Sequence, residues 1–214
     1  MAALNYQELY ALQDKLLAII FSEETNFYLT GGTCLHRFYF AKRYSDNLDL
    51  FTSENTLFRE DLRVITDRLD SESVTYQVMA DTRDFARLII QNELRIDLVN
   101  DLVYRHGKSV RTELGIVLDN LENIAANKVC AILGRDDPKD VFDLYTMYTA
   151  ASINWQSIMT AAARKCALER EILEYRLASF PLHLLDLLAV TDQSFLAEIK
   201  GHYREMVEHI VPAG

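Results

Sequence analysis

The chain has 214 residues, the length of one large domain or of a compact core with a small appendage. Half of the residues are apolar and there are only 7 Gly and 3 Pro, so collagen-like, low-complexity and linker-rich chains are excluded. A formal net charge of -10 argues against broad, sequence-independent binding to nucleic acid. Any contact with nucleic acid therefore requires a local basic patch.

No segment predicts a membrane span or a signal peptide. The longest apolar runs, Leu16–Phe21 and Leu182–Leu188, fall far short of the ~20 residues that a membrane helix needs. The first residues contain no basic segment followed by an apolar stretch, as a signal peptide would. We therefore expect a cytoplasmic protein without a membrane partner.

Cysteine and histidine spacing predicts neither a disulfide framework nor a zinc site. The three cysteines, Cys34, Cys130 and Cys166, are odd in number and widely spaced, and they contain no CxxC pair. The five histidines show no HExxH or His/Cys spacing. The cysteines are expected to be ordinary buried thiols.

The first half of the chain changes its hydrophobic period several times, which is typical of mixed helices and strands. Helices are predicted over residues 5–21, 33–42 and 57–69. Strands are predicted over residues 26–30, 47–52, 74–79, 85–91 and 94–100. Only Asn92 and Glu93 separate the last two strands, which predicts a tight hairpin and an antiparallel pair. Residues 1–118 are therefore predicted to form an α+β core with a mixed sheet flanked by helices.

The second half is predicted to be helical. The helices are expected over residues 120–133, 138–150, 155–171, 182–188 and 195–210. Pro138 suits a first helical position, with Asp136 or Asp137 as the cap. Residues 119–214 are therefore predicted to form a C-terminal helical bundle packed on the core.

A strand that runs into Gly31-Gly32-Thr33 and then a helix is the sharpest local feature. Glycines let the backbone approach a ligand, and N–H groups at a helix N-terminus favour phosphate oxygens. The GxxxxGK[ST] spacing of a Walker loop is absent. The turn either binds phosphate or merely reverses the chain.

Two predicted strands carry aspartates on their polar faces. Period-2 alternation buries Leu48 and Leu50 and points Asn47 and Asp49 the same way, and Asp97 stands in a similar pattern on the last strand. If these strands are neighbours, the two aspartates converge, as Mg²⁺-assisted phosphoryl chemistry requires. The alternative is that each is an ordinary solvated aspartate on an edge strand.

The third constellation lies in the helical half. At 100° per residue, Lys128 falls within the apolar arc of its helix, so its ammonium either reaches a phosphate or extends along the surface to solvent. Asp140 and Asp143 are three positions apart on the next helix. Their alternative interpretation is a polar helix face with one ion pair, formed by Lys139 and Asp143.

Taken in order, these motifs resemble the AbiEii/AbiGii-type nucleotidyltransferases, which include toxins of type IV toxin–antitoxin systems and the MenT toxins. The motifs are GGT at 31–33, RxSx(D/N)LDLF at 43–51, RIDLVND at 95–101 and NKxxAxxxRxxPKDxxDLY at 127–145. The resemblance covers approximately residues 25–150 and implies the nucleotidyltransferase fold of the polymerase-β-like superfamily. It also implies an NTP substrate and Mg²⁺ or Mn²⁺ as the cofactor.

The resemblance assigns roles to individual positions. The metal ligands it implies are Asn47, Asp49 and Asp97. The nucleotide-binding positions it implies are Gly31, Gly32, Thr33, Ser45, Lys128, Arg135, Lys139, Asp140 and Asp143. Among these residues, Asp49, Asp97 and Lys128 are the expected catalytic residues, with Asp97 taking the proton of the acceptor hydroxyl.

One departure from the family pattern is Asn47, where the family usually has Asp. An amide oxygen can ligate Mg²⁺ but brings no negative charge, so metal affinity should fall. Three interpretations remain open: a weakened or Mn²⁺-preferring enzyme, a degenerate homologue that retains nucleotide binding, and an engineered Asp-to-Asn form of a toxic protein.

Two functions follow as expectations. The first is transfer of a nucleotidyl group from an NTP to a hydroxyl acceptor such as a tRNA 3′ end, by a toxin with a cognate antitoxin. The second is nucleotide or partner binding by an inactive homologue with a regulatory role. An RNA-acting enzyme would need its scattered basic residues to form a local surface. These are Lys42, Arg43, Arg105, Lys108, Arg111 and Arg135.

Overall fold

The computed structural model describes residues 5–53 and 56–212, and the chain divides into two compact units. The first unit contains the chain up to Cys34, together with Ser45–Leu102 and Lys108–Asp119. The second contains Leu35–Tyr44, Val103–Gly107 and the chain from Asn120 onward. The predicted boundary between residues 118 and 119 lies one residue before the division between Asp119 and Asn120. No sequence pattern indicates that segments 35–44 and 103–107 belong to the second unit.

The first unit is a mixed sheet with helices. Its helices are α1 (Tyr6–Ile20), α2 (Gly31–Cys34) and α3 (Phe58–Ser71). Its strands are β1 (Tyr28–Thr30), β2 (Asn47–Thr52), β3 (Tyr76–Asp81), β4 (Phe85–Ile90), β5 (Leu94–Asn100), β6 (Val110–Arg111) and β7 (Val117–Leu118). The strand order is β3-β4-β5-β2-β1-β7-β6, in which β2–β5 and β1–β7 are parallel pairs and the others antiparallel. The predicted mixed sheet is confirmed.

Alternation along β2 and β5 positions the polar residues of the sheet. Leu48, Leu50 and Leu98 are fully buried, and Ile96 is almost so. Successive strand residues point to opposite faces, so the residues between these leucines and isoleucines face the other side. Burial of one face therefore fixes the register and with it the direction of Asp49 and Asp97.

The second unit is helical. Its helices are α4 (Leu121–Gly134), α5 (Pro138–Ala150), α6 (Trp155–Lys165), α7 (Arg170–Ala178) and α8 (Gln193–Ile210), with a π-helical segment at Leu35–Phe40 and a 3₁₀ segment at Leu182–Leu187. Pro138 is the first residue of α5, and the Asp137 side chain accepts a hydrogen bond from the Lys139 N–H, as the capping prediction required. None of the helices in the described ranges is both long enough and apolar enough to cross a bilayer.

The structure corrects several predicted elements. The helix predicted over 155–171 is two helices, because Cys166 is extended (φ -143°, ψ 165°) and α7 begins only at Arg170. The helix predicted over 33–42 is a short α-helix followed by π-helical turns, and the one predicted over 182–188 is a 3₁₀ helix. β6 and β7 were not predicted, since two residues are too few to show a hydrophobic period.

Candidate active site

The two predicted carboxylates meet on adjacent strands of the first unit. β2 and β5 are parallel neighbours, and Asp49 is directly paired with Asp97 and Asn47 with Arg95. Asp97 is 8% exposed and Asn47 is 9% exposed. The conditional prediction that Asp49 and Asp97 converge is therefore confirmed, and the edge-strand alternative is wrong because both strands are internal.

Asn47 lies against Asp49. Its Nδ2 donates a hydrogen bond of 2.7 Å to Asp49 Oδ1. The amide therefore presents its nitrogen to the carboxylate. An aspartate at this position would have no proton to donate and would repel Asp49 unless a cation neutralised the pair.

Gly31 brings the glycine turn against the same carboxylate. Its φ is +69°, in the left-handed region that favours glycine. A Cβ at this position would lie 2.6 Å from Asp49 Oδ2. Gly31 is thus required both by its backbone conformation and by the closeness of Asp49, and the predicted turn and the predicted carboxylate belong to one site.

The next residues of the turn are buried. Gly32 is buried, and the Thr33 hydroxyl is fully buried and donates to the Asn47 carbonyl oxygen. A second hydrogen bond of 2.8 Å joins the hydroxyls of Thr33 and Ser45. Ser45 is itself fixed by α1, since its N–H donates to the Tyr10 hydroxyl at 3.1 Å. Thr33 and Ser45 therefore fasten the turn to the start of β2.

Arg87 on β4 is a site residue that the sequence analysis missed. It is paired with Asp97 across the β4–β5 ladder, and its Nε and Nη2 donate to the two carboxylate oxygens at 2.7 and 2.8 Å. Arg95 Nε lies 3.6 Å from Asp97 Oδ2. The hydrogen bonds to Asp97 raise the pKa of the Arg87 guanidinium, and the charge of Asp49 adds to this effect. Two guanidinium groups thus balance the two carboxylates.

The donor set of this site suits a hard cation. Two carboxylates and an amide supply oxygen ligands, which Mg²⁺ prefers. The bidentate contact with Arg87 uses one lone pair on each Asp97 oxygen, so each oxygen retains a second one. Within the described parts of the chain, however, no three Asp, Glu, His or Cys side chains gather as a metal site, which agrees with an amide at position 47.

The second unit contains an ionic cluster. Its buried members are His36, Arg43, Lys128, Asp140 and Asp143, and the exposed Arg135 pairs with Asp140. Lys128 Nζ lies 2.8 Å from Asp140 Oδ1 and 2.6 Å from Asp143 Oδ2. Arg135 Nε donates to Asp140 Oδ2 at 2.7 Å. Since Asp140 and Asp143 are 1% and 0% exposed, the polar-face interpretation is wrong, and Lys128 does not extend to solvent.

Asp143 is the centre of this cluster. Arg43 Nε and Nη2 donate to its two oxygens at 2.7 and 2.8 Å, and His36 Nε2 lies 2.7 Å from Oδ1. Burial alone would raise the pKa of the Asp143 carboxyl, but the charges of Arg43 and Lys128 outweigh it and hold the pKa well below its usual range. Asp143 is therefore ionised at neutral pH.

His36 and Arg43 were not predicted as partners of Asp143. Each is about a hundred positions away in the sequence, and neither motif alone specifies the other. The only sequence signal was Arg43 at the start of the RxSx(D/N)LDLF motif. The assignment of Lys128, Arg135, Lys139, Asp140 and Asp143 to the nucleotide stays a prediction.

We expect His36 to make the stability of the protein depend on pH. Burial lowers the pKa of its imidazole, and the charges of Arg43 and Lys128 lower it further, against the opposing effect of Asp143. As the pH falls, the unfolded chain takes up this proton near the ordinary histidine pKa of about 6.5. The folded protein takes it up only at a lower pH. The free energy of unfolding should therefore fall as the pH drops below that value.

Urea unfolding at pH 7 and pH 5 measures this effect. His36→Gln should reduce the difference between the two pH values, whereas the same change at the exposed His183 should leave it as it is. An unchanged difference in His36→Gln would mean that other groups cause the pH dependence.

Comparison with known proteins agrees with this architecture. Residues 15–214 match the family model described as the nucleotidyl transferase AbiEii toxin of type IV toxin–antitoxin systems. The structure of MenT4, a nucleotidyltransferase toxin from Mycobacterium tuberculosis H37Rv, is similar with a TM-score of 0.69 at 12% identity, covering 98% of this chain and 85% of that one. JHP933 from Helicobacter pylori is similar with a TM-score of 0.61 at 16% identity, covering 98% and 95%. No curated protein sequence matches the chain.

Proposed function

The chain belongs to the AbiEii family of nucleotidyltransferase toxins, and on that premise we propose that it transfers a nucleotidyl group from an NTP to an RNA 3′ hydroxyl, such as that of tRNA. The observation that carries the proposal is the in-register pair of Asp49 and Asp97 beside the glycine turn. Two carboxylates held on adjacent strands next to a glycine turn suit nucleotide chemistry.

The proposed reaction breaks one phosphoanhydride bond. The acceptor hydroxyl oxygen attacks the α-phosphorus, the bond between the α- and β-phosphates breaks, and pyrophosphate leaves. Asp97 accepts the hydroxyl proton on a lone pair that Arg87 does not occupy. Arg87 keeps the carboxylate in one orientation, which is the positioning that such a proton transfer needs.

Other residues of the first unit hold the substrate and the cation. The turn at Gly31 and Gly32 receives the triphosphate, and Thr33 and Ser45 hold that turn against β2. Asp49 and Asp97, with the amide oxygen of Asn47, would hold Mg²⁺ or Mn²⁺. When bound, the cation neutralises phosphate charge and helps to align the attacking and leaving oxygens.

A second function is favoured by Asn47. Its amide donates a hydrogen bond to Asp49. A neutral side chain therefore occupies the position at which the family usually has an aspartate. A site with less negative charge binds a divalent cation more weakly. On this basis the chain is a nucleotide-binding homologue with little or no transfer activity and a regulatory role.

Labelled-nucleotide transfer separates the two functions. The chain and its Asn47→Asp variant are each incubated with each α-labelled NTP, Mg²⁺ or Mn²⁺ and total tRNA, and label is followed into RNA. Label with both proteins establishes a transferase that tolerates Asn47. Label with Asn47→Asp alone establishes a weakened site on an intact scaffold. Absence of label with both contradicts RNA transfer and leaves the binding function, which nucleotide titration without a divalent cation then tests.

The family also leads us to propose an antitoxin partner. The matching family is described as part of type IV toxin–antitoxin systems. Induced expression of the chain should then slow bacterial growth, and expression of an adjacent antitoxin gene should restore it. The Asn47→Asp variant provides the contrary outcome. If this variant labels RNA in cell extracts but its expression leaves growth unchanged, the toxin role is contradicted.

A further inference from the structure

Two of the three thiols meet in the second unit, although they are 36 positions apart in the sequence. Cys130 lies on α4 and Cys166 directly follows α6, and their Sγ atoms are 2.6 Å apart. No disulfide joins them in the structure. Cross-linking of two cysteines requires that their backbones already bring the sulfur atoms within reach, and this pair meets that requirement.

The end of α6 creates this contact. Cys166 leaves the helix in an extended conformation while its N–H still donates to the Ala162 carbonyl oxygen at 3.0 Å. The same oxygen lies 3.4 Å from Cys166 Sγ and 3.5 Å from Cys130 Sγ. The interruption of the predicted long helix therefore turns the Cys166 thiol toward α4.

The third cysteine differs in its surroundings. Cys34 is fully buried in the first unit, whereas Cys130 and Cys166 are only half-buried. Burial, reinforced by the charge of Asp119, raises the pKa of the Cys34 thiol well above its ordinary value, which disfavours the reactive thiolate. Cys34 thus serves as an internal reference.

We infer that Cys130 and Cys166 are a redox modification site that forms a reversible disulfide with a small-molecule disulfide such as oxidised glutathione as the oxidant. One thiolate attacks the oxidant and releases one glutathione thiol, and the second protein thiolate then displaces the other. The protein loses two electrons and two protons and gains one S–S bond. The oxidant gains the same two electrons and two protons and becomes two thiols.

The disulfide ties α4 to the end of α6. α4 also carries Lys128, whose ammonium bridges Asp140 and Asp143 in the ionic cluster. A cross-link that closes a long loop restricts the unfolded chain, so the oxidised second unit resists unfolding more than the reduced one. Oxidation is therefore expected to raise the midpoint of thermal unfolding by several degrees.

The test uses the full chain in buffers of reduced and oxidised glutathione. After acid quenching, thiols are counted in denaturant by maleimide labelling and mass spectrometry. We expect one reactive thiol after oxidation instead of three. Trypsin should release the peptides Val129–Arg135 and Cys166–Arg170 joined by a disulfide, and this mapping needs no variant.

Variants provide matched controls. Cys34→Ser should still lose two thiols, whereas Cys130→Ser and Cys166→Ser should form no intramolecular disulfide and show no rise in the unfolding midpoint on oxidation. Retention of three reactive thiols by the wild-type chain would overturn the inference. So would a stable mixed disulfide with glutathione, or a disulfide between two chains in place of the internal one.

Discussion

Replacing Asp143 by asparagine should lower the free energy of unfolding by about 3–5 kcal/mol, the cost of breaking a buried ion pair by removing one partner. Asp143 is fully buried and accepts hydrogen bonds from Arg43 and His36, and Lys128 Nζ lies 2.6 Å away. Asparagine has the same shape but no charge. The Arg43 guanidinium and the Lys128 ammonium would then stay buried with only the Asp140 carboxylate to balance their charge. Urea unfolding at pH 7 measures the loss.

A matched control is available at the protein surface. Asp186 pairs with Lys200 at 2.6 Å, but both side chains are at least one-third exposed. Asp186→Asn should therefore change the free energy of unfolding by only about 0–1 kcal/mol. Equal effects of the two substitutions would show that the ionic cluster is no more stabilising than an exposed pair.

The second large effect is expected on catalysis. Asp49→Asn should reduce the rate of nucleotidyl transfer by about 10²–10³-fold or more, the loss typical of removing one group that stabilises a transition state. Asn47 is already neutral, so the substitution leaves Asp97 as the single carboxylate among positions 47, 49 and 97. Both oxygens of Asp97 already accept hydrogen bonds from Arg87. Transfer of label to RNA measures the rate, in the chain as it stands or in the Asn47→Asp background if that alone is active.

Asp46→Asn is the control for this experiment. It removes the same charge one residue before β2, from an exposed side chain. Its transfer rate and its thermal stability should both resemble those of the parent protein. A transfer rate retained in Asp49→Asn would remove Asp49 from the proposed mechanism, and a loss of folding in that variant would assign the residue a structural role instead.

Local patterns in the sequence predicted the directions of the side chains on β2 and β5. Alternating apolar residues specify which face is buried, so the direction of Asp49 and Asp97 follows once the two strands are neighbours. The neighbour relation itself has no local signal, because β2 and β5 are separated by α3, β3 and β4. The sequence analysis stated that relation only as a condition, and the resemblance to a family implied it by making both aspartates metal ligands.

The missed role of Arg87 has a different cause. A two-residue turn at Asn92 and Glu93 would have paired Gln91 with Leu94 and thus Arg87 with Leu98. The turn instead includes Gln91, so Ile90 pairs with Leu94 and Arg87 with Asp97. Gln91 and Asn92 have φ values of 51° and 61°, which no hydrophobic pattern predicts. A register error of one residue moves every side chain to the other face.

The ionic cluster could be predicted only in part. Lys128 in an apolar arc indicated either a phosphate contact or a path to solvent. The two aspartates three positions apart were interpreted as a polar helix face or, from the resemblance, as nucleotide-binding positions. Asp143 obtains its remaining partners from the segment 35–44, which folds as part of the second unit. Only the tertiary structure reveals that grouping.

Because segment 35–44 belongs to the second unit, the ionic cluster joins residues that are synthesised far apart in time. Arg43 and His36 leave the ribosome 100 and 107 residues before Asp143 does. During that interval the nascent chain carries both groups without the carboxylate that they surround in the finished second unit. Contacts between such distant positions close late because of their loop entropy. The second unit can complete its interior only after α5 has been synthesised, so a nascent chain that ends before residue 143 holds no complete cluster.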